Sequence, residues 1–240
     1  MAILETKNIV KQYKKRRVVD GISLKVETGQ VVGLLGPNGA GKTTTFYSIA
    51  GFIQPDSGAV LLNGEDLTGL PIHKRARRGL SYLAQEASVF KKLTVRENVQ
   101  IILETLGLSR RKIVKRIAQL MTDLRITHLA DNPAYSLSGG ERRRVEIMRA
   151  LATQPIFILL DEPFAGIDPL SIADLQGIIV NLRDKGLGVL ISDHNVRETL
   201  TVCDYAYIVS NGKILTHGTP EEIINSEAAR KMYLGENFTM

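Results

Sequence analysis

The sequence predicts a mixed α/β fold carrying a helical insertion, and three observations predict it. The apolar runs Val31–Leu35 and 156–160 have the length of buried strands and are too short for helices. A glycine-rich loop follows the first run and leads into a helix-forming stretch. In the middle third the apolar spacing turns helical: Ile113, Ile117, Leu120, Met121 and Leu124 share one face, with Lys112, Lys115 and Arg116 largely opposite.

Along the chain, Ile22, Leu24 and Val26 alternate with polar residues, so the N-terminal part reads as strands, and Gly29 turns the chain into the run that starts at Val31. A helix is expected from Lys42 to Ala50. Pro55-Asp56-Ser57-Gly58 is a turn, and the strand 59–62 with Asn63-Gly64 suggests a hairpin. Thr94 with Glu97 forms a capping box that opens a helix, and Gly107 can close it. The helical insertion spans roughly 88–150 within a single domain, 1–240. Asp168-Pro169 caps and starts a further helix, with Gly186 near its end. Residues 189–191 form another buried strand, Asn211-Gly212 a late hairpin, and Thr219 with Glu222 a last capping box.

With 240 residues, 44% of them hydrophobic and 23% charged, the chain is long enough for one unit with a sizeable core. No stretch approaches the roughly 20 apolar residues that cross a bilayer. Glu5 and Lys7 interrupt any apolar signal core, and Cys203 alone rules out a disulfide framework, so a reducing cytoplasmic setting is expected. The net charge of +6 comes with basic clusters at 14–17, 74–78, 110–112 and 142–144. They are short and scattered, so they read as solvated faces plus a few groups that meet phosphates. Aromatics are 5%, without Trp and without the interleaving that base stacking requires, so nucleic acid is not an expected partner.

Gly36-Pro37-Asn38-Gly39-Ala40-Gly41-Lys42-Thr43, followed by Thr44, matches the phosphate-loop pattern between a strand and a helix. Its glycines let backbone N–H groups face the phosphates, and the helix N-terminus adds partial positive charge. Lys42 can reach the β- and γ-phosphates, and the Thr43 hydroxyl suits Mg²⁺. Nucleotide binding is the consequence, with Mg²⁺ as the expected metal. The apolar run 156–160 ends in Asp161-Glu162, at the end of a parallel strand where ligands collect. Asp161 can hold Mg²⁺ through water, and Glu162 can orient and deprotonate the attacking water.

Leu137-Ser138-Gly139-Gly140-Glu141 resembles the signature of ABC ATPases and stands shortly before the Asp161 strand, as in that family. The resemblance covers the whole chain and implies a P-loop NTPase fold of the ABC type, with a mixed core sheet, an N-terminal antiparallel part and a helical subdomain. It implies that Tyr13 stacks on adenine and that Gln85 senses Mg²⁺. It also implies that Ala165-Gly166-Ile167-Asp168 faces a second subunit and that His194 is the switch histidine near the γ-phosphate. Two copies would pair head to tail, with Ser138, Gly139 and Gly140 of one binding the γ-phosphate held by the other, so that ATP lies in a homodimer interface.

The stretch 192–200 and the ending Tyr233-Leu234-Gly235-Glu236-Asn237-Phe238 further resemble the ATPases of bacterial lipopolysaccharide exporters. Phe164-Ala165-Gly166-Ile167-Asp168-Pro169 fits them too, although branched-chain amino-acid importers have similar stretches there and around His194. That likeness implies a subunit peripheral to the cytoplasmic face of the inner membrane, with lipopolysaccharide as indirect cargo of its membrane partners. The segment 86–92 would receive short helices of integral membrane subunits, with Phe90 either an apolar anchor or ordinary core filling. A soluble nucleic-acid ABC ATPase is the remote alternative, since the chain has no coiled-coil hinge, zinc cysteines or second nucleotide domain.

Overall fold

The computed structural model describes residues 1–235 and 238. Glu236 and Asn237 of the resembling tail, with Thr239 and Met240, lie outside the described residues.

The chain opens with β1 (Ile3–Tyr13), β2 (Arg16–Ile22), β3 (Lys25–Glu27) and β4 (Val31–Leu35), then α1 (Lys42–Ala50). Next come β5 (Ser57–Leu62), β6 (Glu65–Asp66), α2 (Ile72–Ala76) and β7 (Leu80–Leu83). The helical stretch holds α3 (Val95–Glu104), α4 (Arg110–Asp123) and α5 (Gly139–Leu151). The remainder alternates: β8 (Phe157–Asp161), α6 (Pro169–Asp184), β9 (Gly188–Ser192), α7 (Val196–Leu200), β10 (Tyr205–Ser210) and β11 (Lys213–Gly218). Then α8 (Pro220–Asn225), α9 (Glu227–Ala229) and a π-helical turn, Arg230–Leu234, close the described chain.

Among the described residues the strands form two sheets. β1, β2, β3, β5 and β6 pair antiparallel. The other sheet runs β11-β10-β4-β9-β8-β7, parallel from β10 to β7 with β11 antiparallel at its edge.

Strand periodicity explains the layering. Successive side chains of β8 point to opposite faces, so Ile158 and Leu160 join one core while Phe157 and Leu159 join another. The first core is filled from α3, α4, α5 and α6, by Val99, Ile117, Leu120, Ile147 and Ile179 among others. The second lies between the two sheets and holds Phe46 and Ile49 of α1 against Leu4, Val19 and Val60. Each such side chain contributes about 1.5–3 kcal/mol on burial. A third cluster joins Leu35, Ile208, Ile223 and Ala229 under the C-terminal helices.

The three expected caps form as full capping boxes or helix starts: Thr94 with Glu97, Asp168 ahead of Pro169, and Thr219 with Glu222. α3 stops at Glu104, three residues before Gly107, whose φ of 66° closes the next turn. The basic clusters need a correction, because Arg75 and Arg143 are buried rather than solvated. Arg75 donates to the carbonyls of Leu70, Thr68, Ser48 and Ile49, and so caps the C-terminal end of α1 from inside the protein. Burial lowers its pKa to about 10.

Candidate functional site

Four neighbouring parallel strands end on one rim, and each hands the chain to a residue that the sequence marks as functional or to its neighbour. β4 ends at Leu35 and passes into Gly36; β7 ends at Leu83, two residues before Gln85. β8 ends at Asp161 and leads to Glu162; β9 ends at Ser192 and leads to Asp193 and His194. The registers Leu83↔Leu160, Asp161↔Ser192 and Leu34↔Ser192 set these ends side by side. Ligands collect at such carboxyl ends because the backbone opens there between diverging loops.

The phosphate loop is built on glycine where the chain demands it. A Cβ on Gly36 would lie 2.1 Å from the Val209 carbonyl oxygen, and one on Gly41 2.4 Å from that of Val18. Both also have φ in the left-handed range, 149° and 107°. The loop is pinned from behind, because Gly212 N–H donates to the Ala40 carbonyl at 2.8 Å. Asn38 and Gly39 are exposed, Pro37 is half-buried, and Ala40 is buried. α1 starts at Lys42, whose Nζ donates to the carbonyls of Gly36 at 2.6 Å and Pro37 at 3.1 Å. Burial lowers the Lys42 pKa, while the carboxylates of Glu162, Asp193 and Asp161 oppose that shift. Thr43 is exposed and Thr44 half-buried at the same helix start.

Glu162 sits at φ 43°, a left-handed backbone uncommon for a side chain with a Cβ, and its N–H donates to Ser192 O at 2.6 Å. Its Oε2 accepts from Gln85 Nε2 at 2.7 Å and lies 3.4 Å from His194 Nδ1. Gln85, Glu162 and His194 therefore meet at one carboxylate oxygen. Asp161 is 5% exposed and accepts from the Tyr82 hydroxyl at 3.1 Å. Burial raises its pKa, as it does that of Asp193.

Asp193 is fully buried, and sequence reasoning missed it. It accepts from Phe164 N–H at 3.2 Å and Asn195 N–H at 2.8 Å, with His194 Nδ1 3.5 Å away. It thus ties the loop after Glu162 to the loop of the histidine. Arg143 was missed too. At 5% exposure it donates to the carbonyls of Ala84 at 2.7 Å and Asp161 at 2.9 Å and pairs with buried Glu146 at 3.1 Å. Glu146 in turn accepts from Ser88 N–H. The arginine sits in a basic run whose composition looks like surface, and no local signal marks it. From the tail, Tyr233 packs its buried hydroxyl near Gly36, and burial pushes its pKa up to about 12.

Ser138 is the N-cap of α5, accepting from Glu141 N–H at 3.3 Å, and the Glu141 carboxylate accepts from Ser138 N–H at 2.8 Å. Glu141 is therefore occupied by its own helix cap. Among the described residues no hydrogen bond or ion pair joins Ser138, Gly139 or Gly140 to the phosphate loop of the same chain. Gly139 lies instead beside Gly166, on a cavity of about 150 Å³ that Gln85, Arg142 and Glu162 also line. Tyr13 is half-exposed at the tip of the β1–β2 hairpin, and Val18 of that hairpin touches the phosphate loop. Phe90 is not core filling: it is 45% exposed, with the Arg149 guanidinium 4.5 Å from its ring centre.

Comparison with known proteins fits this arrangement. The ABC transporter family matches residues 19–165, which run from the hairpin through the phosphate loop and α5 to the residues after Glu162. The chain belongs to the ABC transporter family. Over its full length it is 56% identical to the lipopolysaccharide export system ATP-binding protein LptB of Escherichia coli strain K12, covering 100% of each chain. It is 54% identical, with the same coverage, to LptB of Haemophilus influenzae. Among solved structures, an ATP-binding cassette of an ABC transporter in its ADP conformation is 32% identical with a TM-score of 0.88, covering 98% of this chain and 100% of that one. The fold is that of an ABC ATPase, as its sheet order and phosphate loop indicate, and its chemistry is ATP hydrolysis coupled to transport. No described helix is long and apolar enough to cross a membrane.

Proposed function

We propose that this chain is the ATP-hydrolysing subunit of a lipopolysaccharide export machine. In this reading it works as a homodimer on the cytoplasmic face of the inner membrane, with ATP between the two copies. The observation that carries the reading is full-length identity of 56% to a protein named for that export system, supported by Gln85, Asp161, Glu162 and His194 lying on the rim next to the phosphate loop.

Each residue has a proposed task. Amides of 36–44 and Lys42 hold the β- and γ-phosphates, and Tyr13 stacks on the adenine. Glu162 orients water and takes its proton as the water oxygen bonds to the γ-phosphorus and the bond to the ADP oxygen breaks. The contact of Gln85 and His194 with Oε2 supports that role, because it fixes the carboxylate while leaving Oε1 for water. Ser138, Gly139 and Gly140 complete the site of the other copy, a reading supported by their lack of contact with their own loop.

The donor set fits Mg²⁺. The Thr43 hydroxyl, the Asp161 carboxylate and the Gln85 amide oxygen are all hard oxygens. Asp161 is a buried carboxylate whose one side-chain hydrogen bond among the described residues is to a neutral phenol. Burial raises its pKa despite the nearby Arg143, so a dication would stabilise its charged form. When bound, the ion neutralises charge on the β- and γ-phosphates.

The half-exposed ring of Phe90 supports docking of integral membrane subunits there. Gentle solubilisation of membranes followed by identification of the copurifying subunits tests the proposal. Subunits that bind lipopolysaccharide are expected. A permease for branched-chain amino acids would overturn the cargo assignment and leave the ATPase chemistry intact.

A further inference from the structure

We infer that Tyr82 is a positioning residue for the metal-binding carboxylate: its hydroxyl, 3.1 Å from Asp161 Oδ2, sets the orientation in which Asp161 meets the cation. This rests on the reading of Asp161 as a Mg²⁺-binding group.

Tyr82 lies on β7, opposite Leu159 of β8, so its ring rises along the neighbouring strand toward Asp161 two residues further on. Its hydroxyl makes the one side-chain hydrogen bond to that carboxylate among the described residues. Without it, packing and the charges of neighbouring groups remain, but no hydrogen bond from a described side chain fixes which way the carboxylate oxygens face.

The ring itself is caged by α1 and the turn that follows it. Phe46 meets it edge-on with centres 6.5 Å apart, Tyr47 at 6.2 Å and Phe52 at 5.0 Å. Phe46 and Tyr47 stand four residues after Lys42 and Thr43, one helical turn below them on the same faces. The helix that presents the Thr43 hydroxyl therefore also grips the ring that holds Asp161. Tyr82 thus couples two oxygens that must stand at a set spacing around one ion, one from α1 and one from β8. Such partners behind the ligands orient them, and losing one typically weakens metal binding about 10–100-fold. The cage is open on one side, where Phe52 is 52% exposed.

The test uses the full-length chain carrying Glu162→Gln, so that ATP persists, and Mn²⁺ as the spectroscopic probe. Mn²⁺ affinity in the presence of ATP is read by electron paramagnetic resonance, and ATP affinity in EDTA is read separately. Tyr82→Phe keeps the ring and removes the hydroxyl. The expected result is Mn²⁺ binding weakened about 10-fold or more, with metal-free ATP affinity and thermal midpoint unchanged. Tyr82→Leu, which also removes the ring, is the packing control. If Tyr82→Phe binds Mn²⁺ like its parent, the inference is overturned, whatever Tyr82→Leu does. Asp161→Asn separates the two readings. If it abolishes Mn²⁺ binding while Tyr82→Phe is silent, only the role of Tyr82 falls. If Asp161→Asn is itself silent, both fall.

Discussion

Helices α3 and α5 begin with the same chemistry and end in opposite circumstances. Thr94 and Ser138 each accept from the amide three residues on, at 3.2 and 3.3 Å, and Glu97 and Glu141 each return a carboxylate to the cap amide at 2.8 Å. At α3 the remaining first-turn donors are consumed by the chain: Val95 N–H goes to Asn132 O and Arg96 N–H to Ala130 O. At α5 the amides of Gly139 and Gly140 meet no acceptor among the described residues. A capping box satisfies only part of what a helix start leaves open. The two residues after the cap decide the rest. The amides of buried Val95 and exposed Arg96 are both taken up by carbonyls of the chain. Those of exposed Gly139 and of Gly140, which is buried against Ser171, have no acceptor among the described residues. One start is finished within the chain; the other leaves two amides open, which the proposed pairing of two copies would satisfy with the partner's γ-phosphate.

The largest effect tests Glu162 as the proposed base. Glu162→Gln should lower hydrolysis by about 10²–10⁴-fold while ATP binding and ATP-dependent pairing persist. Rapid turnover by this variant would remove Glu162 from its role. Next, Ser138→Arg should keep single-chain ATP binding, lose the ATP-dependent dimer in scattering, and cut hydrolysis about 10²–10³-fold. Thr94→Arg, at the same cap position of α3, should leave the dimer intact. A full-speed Ser138→Arg monomer would erase the contrast. A smaller effect is shared: Thr94→Ala and Ser138→Ala should each lower stability by about 1 kcal/mol in denaturant titrations, because the caps are alike. Only the second should change hydrolysis.

The smallest effect is a pH dependence. The backbone N–H of Thr94, with its side chain, holds the Glu97 pKa below the ordinary carboxylate value. The folded state therefore binds that proton less readily than the unfolded chain. The resulting stability is present above the unfolded carboxylate pKa and is lost as pH falls through the depressed one. Glu97→Gln should accordingly lower the thermal midpoint near neutral pH and converge with the parent in acid. A difference that stayed constant across that range would show that the carboxylate charge plays no part.

Much of this was legible in the residues. The phosphate loop, the Asp161-Glu162 strand end and the capping boxes of α3 and α8 were read from local spacing, because turns, caps and strand periodicity are satisfied by near neighbours. Ser138 was read as a signature serine, and that it also caps α5 is the same local rule. Arg75, Arg143 and Asp193 escaped. The carbonyls that accept from Arg75 include Ser48, 27 residues earlier, and those of Arg143 include Ala84, 59 residues earlier. A buried guanidinium and a solvated one have the same neighbours in sequence. Tyr82 escaped for the same reason, its partner Asp161 lying 79 residues on. Phe90 has no local signal that separates an exposed anchor from a core residue, and only the fold shows it 45% exposed.

By itself the sequence determined the nucleotide chemistry and the helix starts, since backbone hydrogen bonding and glycine conformations act over a few residues. Only the tertiary structure decided that Gln85, Asp161, Glu162 and His194 share a rim, because that depends on β7, β8, β9 and β4 lying side by side in parallel. Strand order is fixed by which apolar faces pack together across the whole chain, and no local window contains it.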